Sequence, residues 1–231
     1  MTDLNLTDIS YFNNLSDEVC ARVEVAAHRR EYQAGAMIFH EGTTCAGFHM
    51  IVDGLVRIYR VGQEGRLHTL SLLRSPSAFN EVSAVDGGPN PFNATAVTDV
   101  VVWVIQRERL LRLMGDEPML LNNYVQALAH INREYIERLE DMTFRTIPSR
   151  LAKLFLHETT FAETIAETPS RLTQEEIASI LGTTREVVGR ALRNLLNAEL
   201  LRKEGRAIYI RDREGLEFLA KHNCLPDSVC E

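Results

Sequence analysis

No stretch of this 231-residue chain is apolar for long enough to span a bilayer. The opening MTDLNLTDIS has no basic segment followed by an apolar one, so neither secretion nor membrane insertion is expected and a cytoplasmic location is. Cysteine is sparse. Cys20, Cys45, Cys224 and Cys230 form no C-x-x-C pair and no zinc spacing, and are expected to be free thiols in a reducing compartment. His28, His40, His49 and His68 are too dispersed for the G-x-H-x-H pattern of a cupin-like metal enzyme. Ser-His-Asp, G-x-S-x-G and phosphate-loop signatures are missing as well. The sequence therefore assigns no catalytic residue and no metal site.

What is present is an ordinary globular composition, 45% hydrophobic and 25% charged, enough for two modest domains. Its charge is unevenly placed. The net charge of −7 lies within residues 1–143, and residues 144–231 sum to zero. Within residues 183–213 eight basic side chains face four acidic ones. An acidic front half joined to a locally basic back half fits a sensor attached to a nucleic-acid reader. It also implies weak non-specific binding and strong salt dependence.

The stretch TQEEIASILGTTREVVGRALRNLLN, residues 173–197, has the spacing of two short helices around a tight turn. Thr173 and Glu176 form a capping box, and Ile177, Ala178 and Leu181 share one face. Gly182 breaks the helix where a left-handed residue costs least. Thr183 and Glu186 suggest a second capping box, with Val187, Ala191, Leu192 and Leu195 as the buried stripe of the second helix. Arg185, Glu186, Arg190 and Arg193 are left facing outward. The next stretch, AELLRKEGRAIYIR, reads as a hairpin turning at Glu204-Gly205, with Arg202, Lys203 and Arg206 set to meet phosphates. Together these form a winged helix-turn-helix whose second helix is built for the major groove. Such a pair could instead only pack a core, leaving a ligand-binding barrel with no DNA role.

TQEEIASILGTTREVVGRALRNL resembles the helix-turn-helix signature of the CRP/FNR superfamily of bacterial transcription regulators. The R-E-x-x-x-R of its CRP-like branch is intact as Arg185, Glu186 and Arg190. Arginine forks onto guanine O6 and N7, and glutamate accepts from the cytosine amine. The resemblance implies a homodimer that reads TGTGA-like inverted repeats in double-stranded DNA through these three residues. Thr173, Thr184, Arg193, Lys203 and Arg206 are the phosphate candidates. RNA polymerase is a candidate partner. Iron–sulfur members of the superfamily carry a tight N-terminal cysteine cluster, of which only Cys20 is present.

Residues 1–30 read as helical, with Ser16 in the cap region. Residues 31–105 change to short β-rich runs, with hairpin signals at Asp53-Gly54 and Glu64-Gly65. An antiparallel barrel or jelly roll follows, similar to the family's cyclic-nucleotide-binding-like domain, and the fold class is α+β. In cAMP-binding members a G-E motif precedes an R-[ST]-A motif by about ten residues. The matching stretch is FNEVSAVDGGPNPFNATA. Glu81 is kept, Asn80 replaces the glycine, and no arginine adjoins Phe92, Asn93 and Ala94. The positions on the following helix that should contact adenine are Tyr135 and Ile136. The resemblance thus outlines an effector pocket of Asn80, Glu81, Val82, Phe92, Asn93, Ala94, Tyr135 and Ile136 that departs from cAMP binding. A phosphate buried there would lack its main charge partner. Haem, with His40, His49, His68 or Cys45 as ligand, a small metabolite, and no ligand at all remain as alternatives.

Residues 106–117 read as a short helix, followed by a long one from Pro118 to about Phe144. Leu121, Leu128, Tyr135 and Met142 repeat by seven, with Tyr124, Ile131 and Leu139 beside them, giving a dimer seam. Pro148 places a boundary near residue 145. The expected domains are a sensing barrel over 1–117, a dimerisation helix over 118–144 and a winged helix-turn-helix over 145–231. Residues 158–171 read as a connector.

Overall fold

The computed structural model describes residues 6–161, 172–205 and 207–225, and its contacts divide the chain into two units that meet in sequence at Tyr135 and Ile136. In the first unit, runs of β-branched and aromatic residues become Ala27–Tyr32 (β1), Met37–Phe39 (β2), Phe48–Asp53 (β3), Leu55–Val61 (β4), Leu67–Arg74 (β5), Ser77–Phe79 (β6), Asn93–Ala96 (β7) and Val100–Ile105 (β8). They pair antiparallel in two four-stranded sheets, ordered β1-β8-β3-β6 and β2-β7-β4-β5. Phe39, Ile51, Val56, Ile58, Ala94 and Val102 fill the space between the sheets. This is the expected jelly roll.

Glu64-Gly65 does join paired strands, β4 and β5. Asp53-Gly54 does not, because β3 and β4 belong to different sheets. Gly54 has φ +93°, and a Cβ there would meet the Asp99 carbonyl at 2.3 Å. The same glycine signal thus marks a crossing between sheets instead of a hairpin.

The helical reading of residues 1–30 also needs correction. Helix Asp17–Ala26 (α1) is capped by the Ser16 hydroxyl, but residues 27–30 belong to β1, held by their register with β8. The β-rich stretch conceals a short helix, Glu81–Asp86 (α2), set off by left-handed residues at both ends, Asn80 and Gly87. Arg107–Asp116 (α3) and the 27-residue Pro118–Phe144 (α4) form where expected. Phe12, Phe48, Leu110, Leu120 and Tyr124 make a second core beneath the helices of this unit.

The second unit contains Ile147–Phe161 (α5), Gln174–Leu181 (α6), Arg185–Asn197 (α7), the hairpin Leu201–Glu204 (β9) with Ala207–Ile210 (β10), and Arg213–His222 (α8). Pro148 sits in the first turn of α5, where its missing N–H costs nothing. Residues 158–161 continue α5, contrary to the connector reading, and 162–171 lie outside the described residues. Leu151, Phe155, Ile177, Val188, Leu195 and Leu216 form the core of this unit. Near residue 145, Asp141 accepts from Arg145 Nε and Lys153 Nζ, both at 2.6 Å. Asn223 Oδ1 accepts from the Thr146 amide at 2.7 Å.

Candidate nucleic-acid interface and effector region

The Thr173–Glu176 capping box forms as the sequence implies, and both partners are engaged. Glu176 N donates to Thr173 Oγ1 at 3.2 Å, while Thr173 N donates to Glu176 Oε2 at 2.7 Å. The Thr173 hydroxyl also donates to Glu176, so it is occupied within the cap. Gly182 ends α6 at φ +61°. The second capping box does not form. The Thr183 amide closes the turn onto the Ala178 carbonyl, and Thr184 one residue on caps α7 by accepting from Val187 N. In the stripe of α7, Val188 and Gly189 are buried beside Ala191, Leu192 and Leu195, whereas Val187 is only half-buried.

This packing turns Arg185, Glu186, Arg190 and Arg193 to solvent along one side of α7. Among the described residues, Arg185, Arg190 and Arg193 form no ion pair. Glu186 has its carboxyl held below the usual range, first by its own backbone amide, then by the Thr184 hydroxyl, with Arg185 and Arg190 adding to the effect. It is an ionised acceptor beside two free forks, the donor and acceptor pattern that a G·C pair presents in reverse. In the wing, Lys203 is exposed. Arg202 is engaged internally, pairing with Glu204 and lying 4.3 Å over the Tyr209 ring. Arg206 lies outside the described residues.

On α4, Tyr124 does not belong to an outward seam. It is 2% exposed in its own core, and its hydroxyl donates to the Glu81 carbonyl at 2.9 Å. Leu128 also packs against that core, and Ile131 is half-buried. Leu121, Tyr135, Leu139 and Met142 are exposed, with Val125 and Ile136 beside them; Leu139 is 63% exposed. An apolar row of this kind in water calls for a cover.

The residues of the expected effector pocket are only partly brought together. Asn80 and Glu81 are buried, Val82 is exposed, and Phe92 is half-buried against the inter-sheet core. Asn93 is buried and accepts from the Glu41 amide at 3.1 Å, and Ala94 lies in the core. Tyr135 and Ile136 are exposed. The residue that sequence reasoning missed is Asn90. The Asn80 amide donates to Asn90 Oδ1 at 2.8 Å and reaches Cys45 Sγ at 3.3 Å, while Asn90 donates to Thr43 Oγ1 at 3.0 Å. Asn80 and Asn90 are each 1% exposed. Their mutual hydrogen bond joins two buried neutral amides. Burial holds the Glu81 carboxyl above its usual range.

Of the four candidate haem ligands, His49 is committed to the core. The His49 ring is 1% exposed, stacked 4.9 Å from Phe79, with Nδ1 on the Gly47 carbonyl at 2.9 Å. Burial pushes its pKa down to about 4. No group of three or more His, Cys, Asp or Glu that could hold a metal occurs among the described residues. The free-thiol reading holds for Cys20 and Cys45, but Cys224 is disulfide-bonded. Spacing rules for zinc and C-x-x-C do not register a bond of that kind.

Two family models match the chain: a cyclic nucleotide-binding domain over residues 29–117 and a Crp-like helix-turn-helix domain over 149–219. A "CRP-like cAMP-activated global transcriptional regulator" of Mycobacterium tuberculosis is 31% identical over 195 residues, covering 83% of this chain and 87% of that protein. The chain belongs to the CRP/FNR superfamily. It is a DNA-binding transcription regulator of the CRP type. Among solved structures, the Thermus thermophilus catabolite activator protein aligns at 27% identity with a TM-score of 0.55, covering 93% of this chain and all of that one. FixK2 from Bradyrhizobium japonicum shares the fold, at 23% identity and a TM-score of 0.73, covering 84% and 96%. The helix-turn-helix match takes in α6 and α7, and the cyclic nucleotide-binding match takes in Asn80 and Asn90. No helix among the described residues is long and apolar enough to cross a membrane.

Proposed function

We propose that the protein is a homodimeric, sequence-specific regulator that reads TGTGA-like inverted repeats and responds to an effector other than cyclic AMP, or to none. The observation that carries the DNA reading is the outward side of α7. There Arg185, Glu186 and Arg190 project together, and neither arginine forms an ion pair among the described residues. Arg193, Thr184, Lys203 and Arg206 contact phosphates in this reading, and Thr173 contributes through its position at the cap. The sensing barrel runs to residue 117, the dimer helix over 118–144 and the reader over 145–231. The exposed row on α4 meets its two-fold copy, which places the recognition helices about 34 Å apart, one turn of DNA. RNA polymerase is the partner an activator of this type would engage.

The Asn80–Asn90 pair supports the effector reading. A cyclic phosphate brought there would meet amides where it needs a guanidinium. A second reading, activation by cyclic AMP, is favoured by the name of the Mycobacterium tuberculosis relative. One experiment separates the two: binding of the ligand-free protein to a palindromic TGTGA-type duplex at fixed salt, with and without cyclic AMP. Tight binding unchanged by the nucleotide is expected, and binding that appears only with it would establish the second reading. Arg185→Ala should cost ~1–3 kcal/mol on the cognate site. An equal loss on scrambled DNA would remove Arg185 from base reading.

A further inference from the structure

A cleft of about 550 Å³ opens on the sensing domain, walled by Arg30, Thr44, Cys45, Gly87 and the residues 106–108 that begin α3. It shares no residue with the expected effector pocket, and its size suits a small metabolite. Its chemistry is cationic. The Arg107 guanidinium packs over Gly87, where a Cβ would come within 3.1 Å of Nε, and Nη2 donates to the Val85 carbonyl at 3.0 Å. Arg107 Nε is buried with no partner among the described residues. The guanidinium therefore keeps hydrogen-bonding capacity that the described residues do not use. Arg30 also lines the cleft, is exposed, and forms no ion pair among the described residues. Gln106, the N-cap of α3, makes no side-chain cap bond, although its carbonyl takes the Arg109 and Leu110 amides. Glu108 is the one acidic lining residue, against two arginines.

We propose that this cleft binds a small metabolite through a carboxylate or phosphate group gripped by Arg107 and Arg30. A fork with an unfilled donor, a second cation and a helix start with no side-chain cap all favour an oxyanion, and none favours a neutral or cationic ligand. The site also touches α2 at both ends. Arg107 holds the Val85 carbonyl, and Cys45 accepts from Asn80, the residue that starts α2. Burial holds the Cys45 thiol above its usual range, so it leaves the anion's place uncontested.

Cys45 makes the site readable. In the full chain, alkylation by iodoacetamide would be followed by peptide mass spectrometry, with Cys20 as internal control, in succinate or inorganic phosphate at constant ionic strength. At ten times its Kd the bound anion should slow Cys45 labelling about tenfold and leave Cys20 unchanged. Arg30→Gln and Arg107→Gln should each abolish the protection. Arg30 is exposed, so its variant tests the site even if Arg107→Gln loosens α2. Protection by succinate alone or by phosphate alone tells which group the cleft takes. Three results would overturn the site: unprotected Cys45 with both anions, protection that survives in Arg30→Gln, or equal protection of Cys20. A Cys45 that resists iodoacetamide without any anion would also refute it, since the thiol would then not face an open cleft.

Discussion

Asn80 holds φ at +66°, a conformation that glycine adopts freely and other residues rarely. Its side chain compensates through the bond to Asn90 and the contact with Cys45. Asn80→Ala keeps the strain and strips those bonds, so it should cost ~2–4 kcal/mol in denaturant unfolding. Asn80→Gly removes the strain and should cost about 1 kcal/mol less. Equal losses would place the effect in packing instead. His49 gives a pH signature. Its pKa is about 4 when folded and 6.5 when unfolded, so above pH 6.5 it is neutral in both states. Between pH 6.5 and 4 only the unfolded chain takes up the proton, and about 3 kcal/mol of stability should drain away. His49→Gln should melt with a flatter pH profile over that window, and an unchanged slope would clear His49 of the effect. At this scale the outward side of α7 was legible. Arg185, Glu186 and Arg190 face water, and the helical period alone decides that. Asn90 was not legible, because its role comes from Thr43 and Asn80, which only the folded barrel brings to it.

The two threonines before α7 show how an element boundary is decided. The sequence T-T-R-E offers two capping frames, and the Thr183 amide is already spent on the Ala178 carbonyl. Thr184→Ala should therefore lower stability by ~1 kcal/mol, while Thr183→Ala should stay within ~0.5 kcal/mol in matched thermal melts. The reverse order would restore the other frame. Long periodic elements such as α4 and the wing hairpin were readable because one rule governed them throughout. Asp53-Gly54 misled because a left-handed glycine reports a turn and not which sheet receives the next strand. Helix α2 was hidden because six residues, Glu81–Asp86, give periodicity too little to work with.

Across the whole molecule the apolar row on α4 makes the strongest demand. Leu139→Glu would place two carboxylates near the proposed two-fold axis, and since the change occurs twice, each copy should weaken association by about 1–3 kcal/mol. Sedimentation should then show monomers at concentrations where the unaltered chain is dimeric, with affinity for the inverted repeat falling in parallel. A dimer of unaltered strength would mean another surface pairs the chains. The acidic front half, the basic stretch around α7, the jelly roll and the winged helix were all visible in composition and pattern. The inward turn of Tyr124 was not, since a heptad cannot say whether a side chain faces a partner or its own barrel. The hydroxyl of Tyr124 on the Glu81 carbonyl joins α2 to α4, and such a tie acts in both directions. If an anion in the cleft tightens the pairing of two α4 helices by some factor, reciprocity requires pairing to tighten the anion by the same factor. Diluting the protein would then loosen its grip on the metabolite, so the sensor's sensitivity would depend on how many copies the cell holds.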